Sequence, residues 1–106
     1  MKKKTASAAS ASNSFVPCRE TRPRDIVDDF NDLAFACARA LDIALKDGAK
    51  KFAPGAWRAV AIADHLRHAR DHAHRGVSER EYRRTHLAHL LCRAAMAFRN
   101  FEEESK

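Results

Sequence analysis

No two cysteines in this chain of 106 residues stand in Cys-x-x-Cys spacing; Cys18, Cys37 and Cys92 are scattered and odd in number. That excludes a zinc ribbon, and three unpaired thiols point to a reducing, cytoplasmic setting. Glycine and proline number three each, too few for a turn-rich β architecture, and the abundance of Ala, Leu, Arg and Asp favours helix. No stretch alternates with period two, none repeats, and no apolar run is long enough to cross a bilayer. A chain this short makes one domain with a thin core, so a homo-oligomer is expected to complete it.

Charge is present in excess of one sign. The formal net charge is +6, which suits polyanions such as nucleotides, phosphates or nucleic acid. It is unevenly spread: Asp25, Asp28, Asp29, Asp32 and Asp42 crowd residues 25–45, while residues 46–99 carry most of the cations.

Residues 1–14 are low in complexity, basic and then Ala/Ser-rich, with no apolar segment of the signal-peptide kind. The sequence therefore predicts a flexible tail over 1–22, ending in an extended lead-in broken by Pro17, and a helical domain over 23–106. Ile26, Phe30, Leu33, Cys37, Leu41 and Leu45 recur every three or four residues and predict a first helix over 24–47, with Gly48 as its left-handed exit. Pro54-Gly55 signals a turn. Trp57 opens a second helix to Arg75, with Ile62, Leu66, Ala69 and Ala73 as its core stripe and Gly76 as its stop. Ser78 and Glu81 have capping-box spacing, which predicts a third helix over 79–101 with Leu87, Leu91, Ala94, Phe98 and Phe101 facing the core. The acidic run Glu102–Glu104 opposes a C-terminal helix dipole and predicts fraying.

Four of the six histidines fall within 64–76, and His86 and His89 form a second imidazole face on the third helix. Antiparallel packing can bring the two faces together. His68 and His72, four apart, have the spacing of a shared zinc site, but no HExxH accompanies them. Cys92, three residues from His89, lacks an activating motif for a nucleophile. Lys50, Lys51, Arg58, Arg67 and Arg93 suit a triphosphate, and Trp57 or Phe52 can stack on a base. Carboxylates that could hold Mg²⁺ are Asp42, Asp64 and Glu81, with Asp71 and Glu79 nearby in sequence. The plain alternative is a solvated face of i,i+4 ion pairs.

Gly48-Ala49-Lys50-Lys51-Phe52, Pro54, Trp57, Leu66-Arg67-His68, Arg75-Gly76 and His86-Leu87-Ala88-His89 occur in that order. Together they resemble the dATP/dGTP diphosphohydrolase N-terminal domain family, common in phages and prophages and part of the MazG-like all-α nucleoside triphosphate pyrophosphohydrolases. The resemblance spans about residues 30–100. It implies a three-helix domain that cleaves a purine deoxynucleoside triphosphate to monophosphate and pyrophosphate with Mg²⁺ or Mn²⁺. It puts Arg67, His68, His86 and His89 at catalytic positions and Lys50, Lys51 and Trp57 at substrate-binding ones, to which Arg93 is added for its charge alone. The sequence departs from the family pattern at Phe52, Ala56 and Arg93, and at Arg39 and Ala40, where acidic residues are usual. The alternatives are a noncatalytic nucleotide-binding relative and a basic module that contacts nucleic acid through Arg80, Arg83, Arg84 and the lysine tail.

Overall fold

A computed structural model describes residues 23–106, with side chains from Asp25 onward; the tail assigned to 1–22, with Cys18, lies outside the described residues. The fold is all-α, with three helices and no strand among the described residues. Helix α1 spans Pro23–Gly48, α2 spans Ile62–Ser78 and α3 spans Arg83–Glu104. Short 3-10 turns at Ala56–Ala59 and Arg80–Tyr82 precede α2 and α3. No helix among the described residues is long and apolar enough to cross a membrane. The chain divides into a unit ending at Phe30 and a second unit, Asn31–Lys106. In the first, Ile26, Val27 and Phe30 are exposed.

Within the second unit α2 packs on α3. The buried residues are small or polar: Ala40 and Ala44 on α1, His65, Ala69 and Gly76 on α2, and His86, Ala88, Cys92, Ala97 and Asn100 on α3. Small side chains let two helix backbones approach closely. A Cβ added at Gly76 would sit 3.5 Å from the Cβ of His86, which marks how near the two helices come there.

The core stripe expected on α3 is exposed throughout, and those expected on α1 and α2 are buried only in part. Leu33 and Leu45 of α1, Leu66 of α2, and Leu87, Leu91, Phe98 and Phe101 of α3 are all exposed. On α2 Ala69 is buried as expected and Ile62 and Ala73 are half-buried, but Leu66 is exposed and His65 and Gly76 are buried in addition. The reason is that interhelical contact selects small side chains and hydrogen-bonded imidazoles, whereas hydropathy weights leucine most.

Punctuation differs too. α2 begins at Ile62 because Trp57 sits in its own 3-10 turn. Gly76 does not stop α2, which continues to Ser78. The Ser78 hydroxyl donates back to the His74 carbonyl at 3.3 Å, so no capping box forms. Gly48 stays helical, and Gly55, at φ 78°, is the glycine whose left-handed backbone needs a missing Cβ. Residues 49–52 form one further hydrogen-bonded turn after α1, with Phe52 N donating to Gly48 O at 2.9 Å. The acidic end does not fray before Glu104, because Arg99 pairs with Glu102 and Glu103.

Candidate functional site

A cleft of about 910 Å³ opens where the end of α1 and the following turn face α2 and α3. Lys50, Lys51, Phe52 and Trp57 line one side, and His68, His72, His86, His89 and Arg93 the other. Lys50, Lys51, Trp57, His68, His86, His89 and Arg93 were all expected at a site from the sequence, and the fold brings them to one place. Arg67 is not among them. Its Nη2 donates to Asp64 Oδ1 at 2.6 Å, and it borders a shallow groove on the outer face of α2 with Arg70, Asp71 and His74; His68 lines both.

The Trp57 turn is held from behind. His65 is completely buried. Arg93 Nη1 donates to His65 Nδ1 at 3.1 Å, so the proton of a neutral ring sits on Nε2, which donates to the Trp57 carbonyl at 2.9 Å. Asn100 Nδ2 donates to the carbonyls of Trp57 and Val60 at 3.3 and 3.1 Å. These bonds fix the backbone of the turn and aim Arg93 along the cleft wall. The Arg58 guanidinium lies 4.5 Å from the centre of the Trp57 ring and covers part of one face. Phe52, 59% exposed, is therefore the freer aromatic surface in the cleft.

Three of the four imidazoles on the Arg93 wall of the cleft are linked to one another. His86 Nε2 donates to Glu79 Oε1 at 2.9 Å, and the Nδ1 atoms of His86 and His72 are 3.1 Å apart. His72 stacks on His89 with ring centres 5.0 Å apart. His89 Nε2 donates to Asp47 Oδ2 at 3.1 Å. Burial, then the neighbouring His89, His86 and Arg75, push the His72 pKa down against the opposing pull of Asp71, so His72 is neutral near pH 7. The bond from His86, helped by Arg75, holds the Glu79 carboxyl below the usual range. Burial pushes the Cys92 thiol up, the wrong direction for a nucleophile.

The carboxylates considered for Mg²⁺ or Mn²⁺ do not converge. Asp42 pairs with Lys46 at 3.1 Å on an exposed face, Asp64 is held by Arg67, and Glu81 is exposed in the turn before α3. Among the described residues no group of three or more His, Cys, Asp or Glu side chains is placed to hold a metal ion.

Asp47 belongs to the site although the sequence did not single it out, and His72 and Glu79, considered there only as metal ligands, enter it as hydrogen-bonding partners instead. Their signals are spacing alone: His72 follows His68 by one turn, Asp47 precedes Lys50 by nearly one, and Glu79 lies two turns before His86. Comparisons with protein families, with curated proteins and with solved structures give no match to this chain.

Proposed function

We propose that the cleft binds a purine (deoxy)nucleoside triphosphate and that the protein hydrolyses it to the monophosphate and pyrophosphate. The observation that carries this reading is the division of one cleft into an exposed aromatic, Phe52, beside Lys50 and Lys51, and an opposite wall of Arg93 and four imidazoles. A nucleotide needs that combination: a flat apolar platform for the base and fixed donors for the phosphates. Charge that develops on the phosphates during hydrolysis meets Lys50, Lys51 and Arg93, of which Arg93 is already positioned by its bond to His65. The family resemblance of the Gly48–Phe52 and His86–His89 segments supports the same substrate class.

A second reading, binding without turnover, is favoured by one observation: Asp42, Asp64 and Glu81 do not come together as metal ligands. A nucleic-acid role is weakened at Arg83, whose Nε and Nη2 donate to the carbonyls of Gly76 and Val77.

The deciding experiment is pyrophosphate release from each common (d)NTP, with Mg²⁺ and with Mn²⁺, beside thermal melting with the same nucleotides. Turnover of dATP or dGTP is expected. A melting shift without turnover leaves the second reading standing. Neither effect with any nucleotide would remove both.

A further inference from the structure

We infer that His72 is the proton acceptor of the cleft and that Glu79, acting through His86, is the positioning residue that keeps its Nε2 unprotonated. This rests on the hydrolytic reading above, and it follows from counting protons along one chain of hydrogen bonds.

The Glu79 carboxylate is an acceptor only, so His86 must carry its proton on Nε2 to make the 2.9 Å bond. A neutral His86 then has a lone pair on Nδ1. The nitrogen 3.1 Å away, His72 Nδ1, must therefore be the donor. A neutral His72 with its proton on Nδ1 has its lone pair on Nε2, for which no partner is found among the described residues. The ring lines the cleft and is stacked on His89, so its plane is fixed. His89 cannot take the same role through Nε2, since that atom is committed to Asp47. The result is a carboxylate–imidazole–imidazole relay with a base at its open end.

The charges around His72 agree. His86 and His89 face it from α3, with Glu79 behind the first and Asp47 behind the second. His68, Asp71 and Arg75 flank it on α2. Burial, with the Arg75 guanidinium adding to it, disfavours the charged form of His72, as a base at the start of a reaction requires.

The step balances simply. A water oxygen attacks the α-phosphorus while His72 Nε2 takes one of the water's protons. The bond from the α-phosphorus to the oxygen bridging the β-phosphate breaks. Pyrophosphate leaves with that electron pair, and the proton on His72 later passes to solvent. The positive charge that forms on His72 is shared through His86 toward Glu79.

Long-range ¹H–¹⁵N correlation spectra of the wild-type imidazoles, with turnover of three variants, test the inference. His72 is expected as the Nδ1–H tautomer and His86 as the Nε2–H tautomer. His72→Asn keeps a donor for His86 and lacks the base; it should lose roughly 10²-fold or more in kcat with KM little changed. Glu79→Leu should release both tautomers, reduce kcat and shift the acid limb of its pH profile. Glu79→Gln, which still accepts from His86, should restore most of the rate. His72 found with its proton on Nε2, or His72→Asn at full turnover, overturns this inference and leaves nucleotide hydrolysis intact. A wild type that turns over no (d)NTP removes the hydrolytic reading, and with it the task assigned to His72, whatever the tautomers.

Discussion

His68 stands where α2 meets both the cleft and the outer groove, and it is exposed. Truncating it removes an imidazole from the phosphate side without opening a cavity. We expect His68→Ala to lower turnover by roughly 10²-fold, the scale of one positioned acid–base or electrostatic group, and to change stability by only about 0.5 kcal/mol. Melting temperature and kcat measured on the same sample separate the two; a destabilised variant with unchanged turnover per folded molecule would make His68 structural. Acid should act on this wall in two stages. The folded-state pKa of His72 is depressed, so below about 6.5 the unfolded chain binds the proton first and stability falls until the pH passes the folded value. Glu79 is depressed as well, so its contribution is present above the usual carboxylate range and is lost as pH falls through its folded value. Melting temperature should drop on going from pH 7 toward pH 5, and His72→Asn should flatten that first slope. A His72→Asn profile parallel to wild type would show that another group titrates there. At this scale the sequence exposes residue types and spacing, hence Lys50, Lys51, His68, His86 and His89 at one cleft. It does not reveal which nitrogen of an imidazole holds a proton, because that depends on partners such as Glu79 and Asp47, which only the packing supplies.

The three helices are legible from periodicity and from the Pro54-Gly55 turn, but their faces are legible only in part. On α3 the pattern Leu87, Leu91, Phe98 marks an apolar stripe that is real and exposed, while His86, Cys92 and Asn100 do the packing. Hydropathy ranks a buried, fully bonded imidazole as polar and so misplaces the seam. Glycines test the seam directly. Gly76 is helical, and a methyl there meets only ordinary contact with His86. Gly76→Ala should therefore stabilise, by roughly 0.5–1 kcal/mol, through the lower entropy of the unfolded chain. Gly55 has φ 78°, where a Cβ is strained, and Gly55→Ala should cost about 1–2 kcal/mol. Chemical denaturation of both variants checks the pair of signs. Stabilisation at Gly55, or a loss at Gly76 beyond about 1 kcal/mol, would contradict the geometry.

Taken whole, the apolar residues that the second unit buries are five alanines and Cys92, while Leu33, Phe35, Leu45, Leu66, Leu91 and Phe98 are exposed. Each buried alanine methyl contributes only about 0.8 kcal/mol, so one copy gains little from its own interior. Contiguous exposed apolar surface is uncommon on monomers. We expect a homo-oligomer, and light scattering at micromolar concentration should report at least a dimer. The melting temperature should rise with protein concentration. Paired Leu91→Glu and Phe98→Glu substitutions should yield a smaller species. A wild-type monomer with a concentration-independent melt would refute this.

The short link through Glu79–Tyr82 between α2 and α3 sets an order of events in time. Contacts between these two helices close a small loop, whereas residues 31–48 must be recruited across the longer segment around Pro54. The relay from Glu79 to His72 lies wholly within the α2–α3 pair, so it forms in the earliest productive structure. Lys50, Lys51 and Asp47 are gathered afterwards. Pulsed hydrogen exchange during refolding should accordingly protect amides of α2 and α3 before those of 31–48, with simultaneous protection as the contrary result. During synthesis the sequence of emergence is the opposite, since the lysines leave the ribosome before either wall-bearing helix. The half of the cleft made first by translation waits for the half that folds first.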